Sequence, residues 1–146
     1  MTPNQIGSDM NYYETFIRVA PDCPVNAGSV PAPRGANKTV PVLEYELLSG
    51  NPYGYTQEEL LFTVYAERLG LPADELTARR GELWAEFFSK SRACLRASSL
   101  PKRYGWGLHF DREGKIALYP VESAEYQRLA DDESLTQLLA MRSKRA

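Results

Sequence analysis

A chain of 146 residues has the usual size of one domain and is long enough to bury about two-thirds of the surface its unfolded form exposes. Hydrophobic residues at 43% and charged residues at 25% set it apart from disordered and membrane-embedded chains. A net charge of −2 argues against a general nucleic-acid binder, which carries a basic excess over the whole domain, and no stretch approaches the roughly 20 apolar residues of a bilayer span.

Residues 1–10 are small and polar and lack both the positive and the apolar region of a secretory signal. They read as a flexible arm ahead of a single α+β domain over residues 11–142, with 143–146 as a frayed end. A cytoplasmic location is therefore expected. Cys23 and Cys94 are too few for a disulfide scaffold and are expected as free thiols.

From Tyr12 to Ala20 side chains alternate and most are β-formers, so the run predicts a strand, ended by Pro21 and Pro24. Residues 25–38, with Gly28, Pro31, Pro33 and Gly35, form a long exposed loop, a kind that is either functional or mobile. Thr39 offers an N-cap and Pro41 suits a first turn, so the spacing of Leu43, Leu47 and Leu48 predicts a helix ending at Gly50; a strand is the competing reading. Asn51–Tyr55 is a turn. Thr56 and Glu59 make a capping box for a helix whose stripe runs from Leu60 to Leu69 and stops at Gly70.

A second long helix is predicted from Asp74 to Lys90, despite Gly81. Ala93–Ala97 suits a short strand, and Ser98 or Ser99 a cap for a helical turn over Leu100–Tyr104. Trp106–Phe110 and Lys115–Tyr119 flank a turn and predict an antiparallel hairpin pairing with the first strand. Ser123 caps a short helix, and Leu135, Leu138 and Leu139 suggest a last amphipathic one. The fold class is α+β: a small, mostly antiparallel sheet, built of the N-terminal strand and the C-terminal hairpin, packed by several helices.

Charge is uneven. Residues 1–78 carry a net −6, residues 79–112 a net +5 and residues 113–146 a net −1. The basic segment is either a solvated face or a surface that attracts carboxylates and phosphates. One histidine and two distant cysteines give no metal-ligand set, so no metal and no cofactor are expected. Walker A, dinucleotide GxGxxG and GxSxG motifs are all absent.

Residues 92–109 gather the remaining chemistry. Arg96, Ser98, Lys102 and Arg103 suit a small anionic ligand, gripped by cations beside a helix start, with Tyr104 and Trp106 as a wall for a planar one. Cys94 and His109 are candidates for a nucleophile and its base, provided the fold makes them neighbours. An interaction protein using the 25–38 loop or the last helix is a third reading. Single-stranded nucleic acid would use the interleaved basic and aromatic residues.

Several stretches together resemble a known family: Asn11-Tyr-Tyr-Glu-Thr-Phe-Ile17, Cys23-Pro24, Asn51-Pro-Tyr-Gly-Tyr-Thr-Gln-Glu-Glu59, Lys102-Arg-Tyr-Gly-Trp-Gly107, Gly114-Lys-Ile-Ala-Leu-Tyr119 and Glu122-Ser-Ala-Glu-Tyr126. The resemblance, over about residues 11–130, is to small bacterial proteins catalogued only as a domain of unknown function. It implies a bacterial, cytoplasmic protein and brings no activity, cofactor or catalytic residue.

Overall fold

The computed structural model describes residues 10–33, 35 and 37–143. Of the expected arm only Met10 is among them, and of the expected frayed end only Ser143; the rest of both lies outside the described residues. Met10 is tied down, its amide donating to Glu58 Oε2 at 3.0 Å and its carbonyl accepting from Gln57 Nε2.

The first strand, β1 (Thr15–Arg18), is shorter than the run of β-formers predicts, because Glu14 adopts a left-handed φ of 44° and turns the chain out of extended geometry. β2 (Trp106–Phe110) and β3 (Ile116–Pro120) form the predicted hairpin, and β2 lies antiparallel to β1. Asp111 Oδ1 closes the turn by accepting from the amides of Glu113 and Lys115, while Gly114 supplies a φ of 81°.

The helix expected at Leu135–Leu139 is instead a strand, β4 (Thr136–Leu139), parallel to β1. The leucine spacing satisfies either state over so short a run. The backbone of β1 decides the outcome: its second edge is filled by the ladder that Thr136 N to Glu14 O and Ala140 N to Arg18 O bound, both at 2.9 Å. The sheet, ordered β3-β2-β1-β4, is therefore mixed, with two antiparallel pairings and one parallel pairing.

Helix α1 (Val40–Gly50) follows Thr39 as predicted, although the Thr39 side chain makes no cap bond. In α2 (Gln57–Leu69) the capping box forms: Thr56 Oγ1 accepts from Glu59 N at 3.2 Å, and Glu59 Oε1 accepts from Thr56 N at 2.9 Å. Gly70 ends α2 at φ 70°. The single helix expected over Asp74–Lys90 is broken at Arg79 into α3 (Ala73–Ala78) and α4 (Arg80–Phe88). The break turns Leu83 and Phe87 onto Phe62 and Ala66 of α2, a small second core, and Arg79 bridges it by pairing with Glu75 and Glu82.

The strand expected at Ala93–Ala97 is a 3₁₀ turn, Leu95–Ala97. Gln57, fully buried on α2, fixes it by accepting from Leu95 N at 2.8 Å. α5 (Ser99–Arg103) is capped by Ser98, one of the two serines expected there, and α6 (Ala124–Ala130) by Ser123, as predicted.

Strand alternation sorts the sheet into two faces. Ile17, Leu108, Phe110 and Ile116 point to one face and build the main core with residues of α1, α2 and α5. Phe16, Gly107, His109, Ala117, Tyr119 and Gln137 point to the other. There α6 lays Tyr126 edge-on against Phe16, with ring centroids 5.0 Å apart. This second face carries the site.

Candidate functional site

The chain's single histidine stands on β2, on the α6 side of the sheet and half-buried. Its Nδ1 lies 2.8 Å from the hydroxyl of Tyr53, which lies 2.8 Å from the hydroxyl of Tyr119 on β3. The three side chains thus form one hydrogen-bonded chain. The rings of Tyr53 and His109 meet edge-on at 5.6 Å.

Tyr53 reaches His109 because the Asn51–Tyr55 loop is clamped to β3: Tyr53 N donates to Ile116 O at 2.8 Å, and Ile116 N to Tyr55 O at 2.9 Å. The loop also forces Tyr53 to φ 59°, a left-handed conformation that a bulky residue adopts at an energetic penalty. The surrounding bonds hold that strain and aim the phenol at the imidazole.

Tyr53, His109 and Tyr119 face an open cleft of about 540 Å³, walled by Leu129 and rimmed by Glu125, Arg128, Asp131 and Asp132 from α6 and the turn after it. Burial holds the His109 imidazole below its ordinary 6.5, against the opposing fields of Asp111 and Asp132. Burial, and then the hydrogen bond to Tyr119, raise the Tyr53 phenol. At neutral pH the imidazole is therefore neutral and the Tyr53 phenol keeps its proton. Either Tyr53 donates to Nδ1, leaving an N–H at Nε2, or it accepts from Nδ1, leaving Nε2 a free base.

The other sequence-predicted residues are spread over separate places. Arg96 Nε donates to Leu139 O at 2.8 Å and so secures β4. Ser98 caps α5 through Leu100 N and also donates to Glu44 Oε1 at 2.7 Å. Trp106 Nε1 donates to Ser29 O at 2.8 Å while its ring rests on Tyr45, and the Tyr104 carbonyl accepts from Ser29 N. These two aromatics pin part of the predicted 25–38 loop. Lys102 is half-buried and Arg103 exposed, both in the last turn of α5, where cations suit the carbonyl end of a helix.

Cys94 and His109 are not brought together. Tyr12, whose ring meets Phe110 edge-on at 5.3 Å, is pushed up to about 12 by burial and then by a hydrogen bond with the Cys94 thiol. Cys94 therefore lies on the Phe110 side of the sheet and His109 on the other. The sequence reading missed Tyr53 and Tyr119, although the Asn51–Glu59 and Gly114–Tyr119 stretches that carry them are conspicuous. What it lacked was the pairing that folds the first onto the second.

Among the described residues no group of three or more His, Cys, Asp or Glu is placed to hold a metal ion, and no helix is long and apolar enough to cross a membrane. No curated protein and no solved structure matches the chain. Residues 7–146 match the model of a family of unknown function, DUF6157, and the chain belongs to that family.

Proposed function

We propose that the cleft beside β2 binds a small polar molecule and exchanges a proton with it, His109 acting as the base. The observation that carries this reading is the chain Tyr119–Tyr53–His109, held over an open cleft by a loop under backbone strain. With Nδ1–H donating to the Tyr53 hydroxyl, Nε2 is the free base that meets the ligand. Neutral His109 takes an acidic C–H or O–H proton from the bound molecule, whose bonding electrons stay behind as the conjugate base, and then returns it. No further reactant enters the balance. Arg128 on the rim is the group suited to the negative charge that develops on the ligand. We assign this activity to a bacterial cytoplasm, a setting that suits the free thiols of Cys23 and Cys94.

Because there is one histidine, proton NMR of its ring follows the site directly. The imidazole is expected to titrate below 6.5, and its resonances to shift on addition of a small organic acid, sugar or nucleoside that fits the cleft. Tyr53→Phe is expected to weaken that response about tenfold, the scale of one hydrogen bond. An imidazole titrating at or above 6.5, or a ligand bound equally well by the Tyr53→Phe and His109→Gln variants, would overturn the reading.

A further inference from the structure

A second site lies across the sheet, on the main-core side. Along α1, Val40, Glu44 and Leu48 recur at four-residue spacing and so share one face. Two of them are apolar and the third is a carboxyl only 3% exposed. Among the described residues the one side-chain hydrogen bond it accepts comes from Ser98 Oγ, at 2.7 Å, although an ionised carboxyl has room for about four. Burying such a group in its ionised form with one neutral partner is costly, so it either holds a proton or has its bonding completed by a further partner.

Two cavities, of about 320 and 240 Å³, adjoin at this residue and share Val40, Glu44, Leu61 and Ala93. Together they make a trough between α1, α2 and residues 92–99, of the size that small-molecule pockets have. The larger cavity has apolar walls from Val64, Tyr65 and Phe87, and Arg68 and Arg92 also line it. Arg92 is fixed in place: its Nε donates to Phe87 O at 2.8 Å and its guanidinium lies 4.0 Å from the centre of the Phe87 ring. The trough thus offers an acceptor at one place, donors at another and hydrocarbon between them.

We propose that this trough binds an amphoteric small molecule with an apolar body, its ammonium or other N–H donor held by Glu44 and its acid group by Arg68 and Arg92. The site is independent of His109, which lies on the opposite face of the sheet. Ser98 contacts Glu44 directly, and the titratable and charged groups that line the two cavities with it are Cys94 before α5, Tyr65 and Arg68 from α2, and Arg92. Burial pushes the Glu44 carboxyl up to about 7, the Ser98 bond opposing the rise. The carboxyl therefore gains charge as the pH passes neutrality, and binding of the ammonium group strengthens from pH 6 to pH 8.

Calorimetric titration of the full chain at pH 8 with L-phenylalanine, 2-phenylethylamine and 3-phenylpropionate tests this. Phenylalanine is expected to bind, and each analogue, lacking one charged end, to bind at least about tenfold more weakly. Glu44→Gln, nearly isosteric, is expected to remove the preference for the ammonium group. Arg68→Ala, at an exposed position, is expected to remove the preference for the acid group. His109→Gln is expected to leave all three titrations unchanged, so the two sites succeed or fail separately. Binding of none of the three probes, equal binding of phenylalanine and both analogues, or unaltered binding of phenylalanine to Glu44→Gln would each overturn the proposal.

Discussion

Glu44 occupies a position on α1 where a helix ordinarily carries an apolar side chain, and its protonation is coupled to folding. A carboxyl held at about 7 in the folded chain and near 4.5 when unfolded keeps its proton more tightly in the folded state. Ionisation then favours unfolding, so its contribution is full below 4.5 and is lost as the pH rises to about 7. The shift corresponds to about 3 kcal/mol. Denaturant titrations of the parent and Glu44→Gln are expected to show a stability gap that widens in favour of the glutamine variant by about that amount between pH 4.5 and 7. A gap that is constant with pH would show that folding leaves the proton affinity of Glu44 unchanged. His109 has the opposite sign: its folded pKa lies below 6.5, so the stability it contributes is lost as the pH falls below that value. Both groups were open to a reading of the sequence to different degrees. His109 stands out as the only histidine, whereas Glu44 shows itself only once Val40, Glu44 and Leu48 are seen to share a stripe.

Elements whose signals are local were legible. The Thr56–Glu59 box, the Ser98 and Ser123 caps and the turn between Trp106–Phe110 and Lys115–Tyr119 all depend on contacts within a few residues, and all form as read. The elements that departed are those whose state is decided from far along the chain. Leu135–Leu139 pairs with β1, Leu95 is held by Gln57 across 38 positions, and the predicted Asp74–Lys90 helix bends where α4 turns onto α2. The candidate site has the same character, since Tyr53 and His109 lie 56 positions apart. Close packing between elements also sets a tolerance at Gly107. A Cβ there would stand 2.6 Å from the Phe16 ring and 2.7 Å from Tyr126. Gly107→Ala is therefore expected to cost about 1–3 kcal/mol by forcing α6 off the sheet. Thermal unfolding measures this, and a melting temperature equal to the parent's would mean that α6 shifts freely.

At the scale of the molecule, β1 lies in the middle of the sheet, and both its neighbours come from the last third of the chain. A variant ending at Glu133 leaves one edge of β1 open, the condition in which strands pair between molecules. It is expected to associate with itself in light scattering at concentrations where the full chain does not; a well-folded monomer would show that β4 is dispensable. The same topology bears on how the protein is made. Residues 15–18 leave the ribosome long before residues 106–110, and longer still before 136–139. At about 5–20 residues per second, the nascent β1 waits on the order of ten seconds with Phe16 and Ile17 uncovered. Until residues 136–139 follow, that segment stays open to contacts with other chains, the hazard of a sheet whose central strand finds its partners far along the sequence.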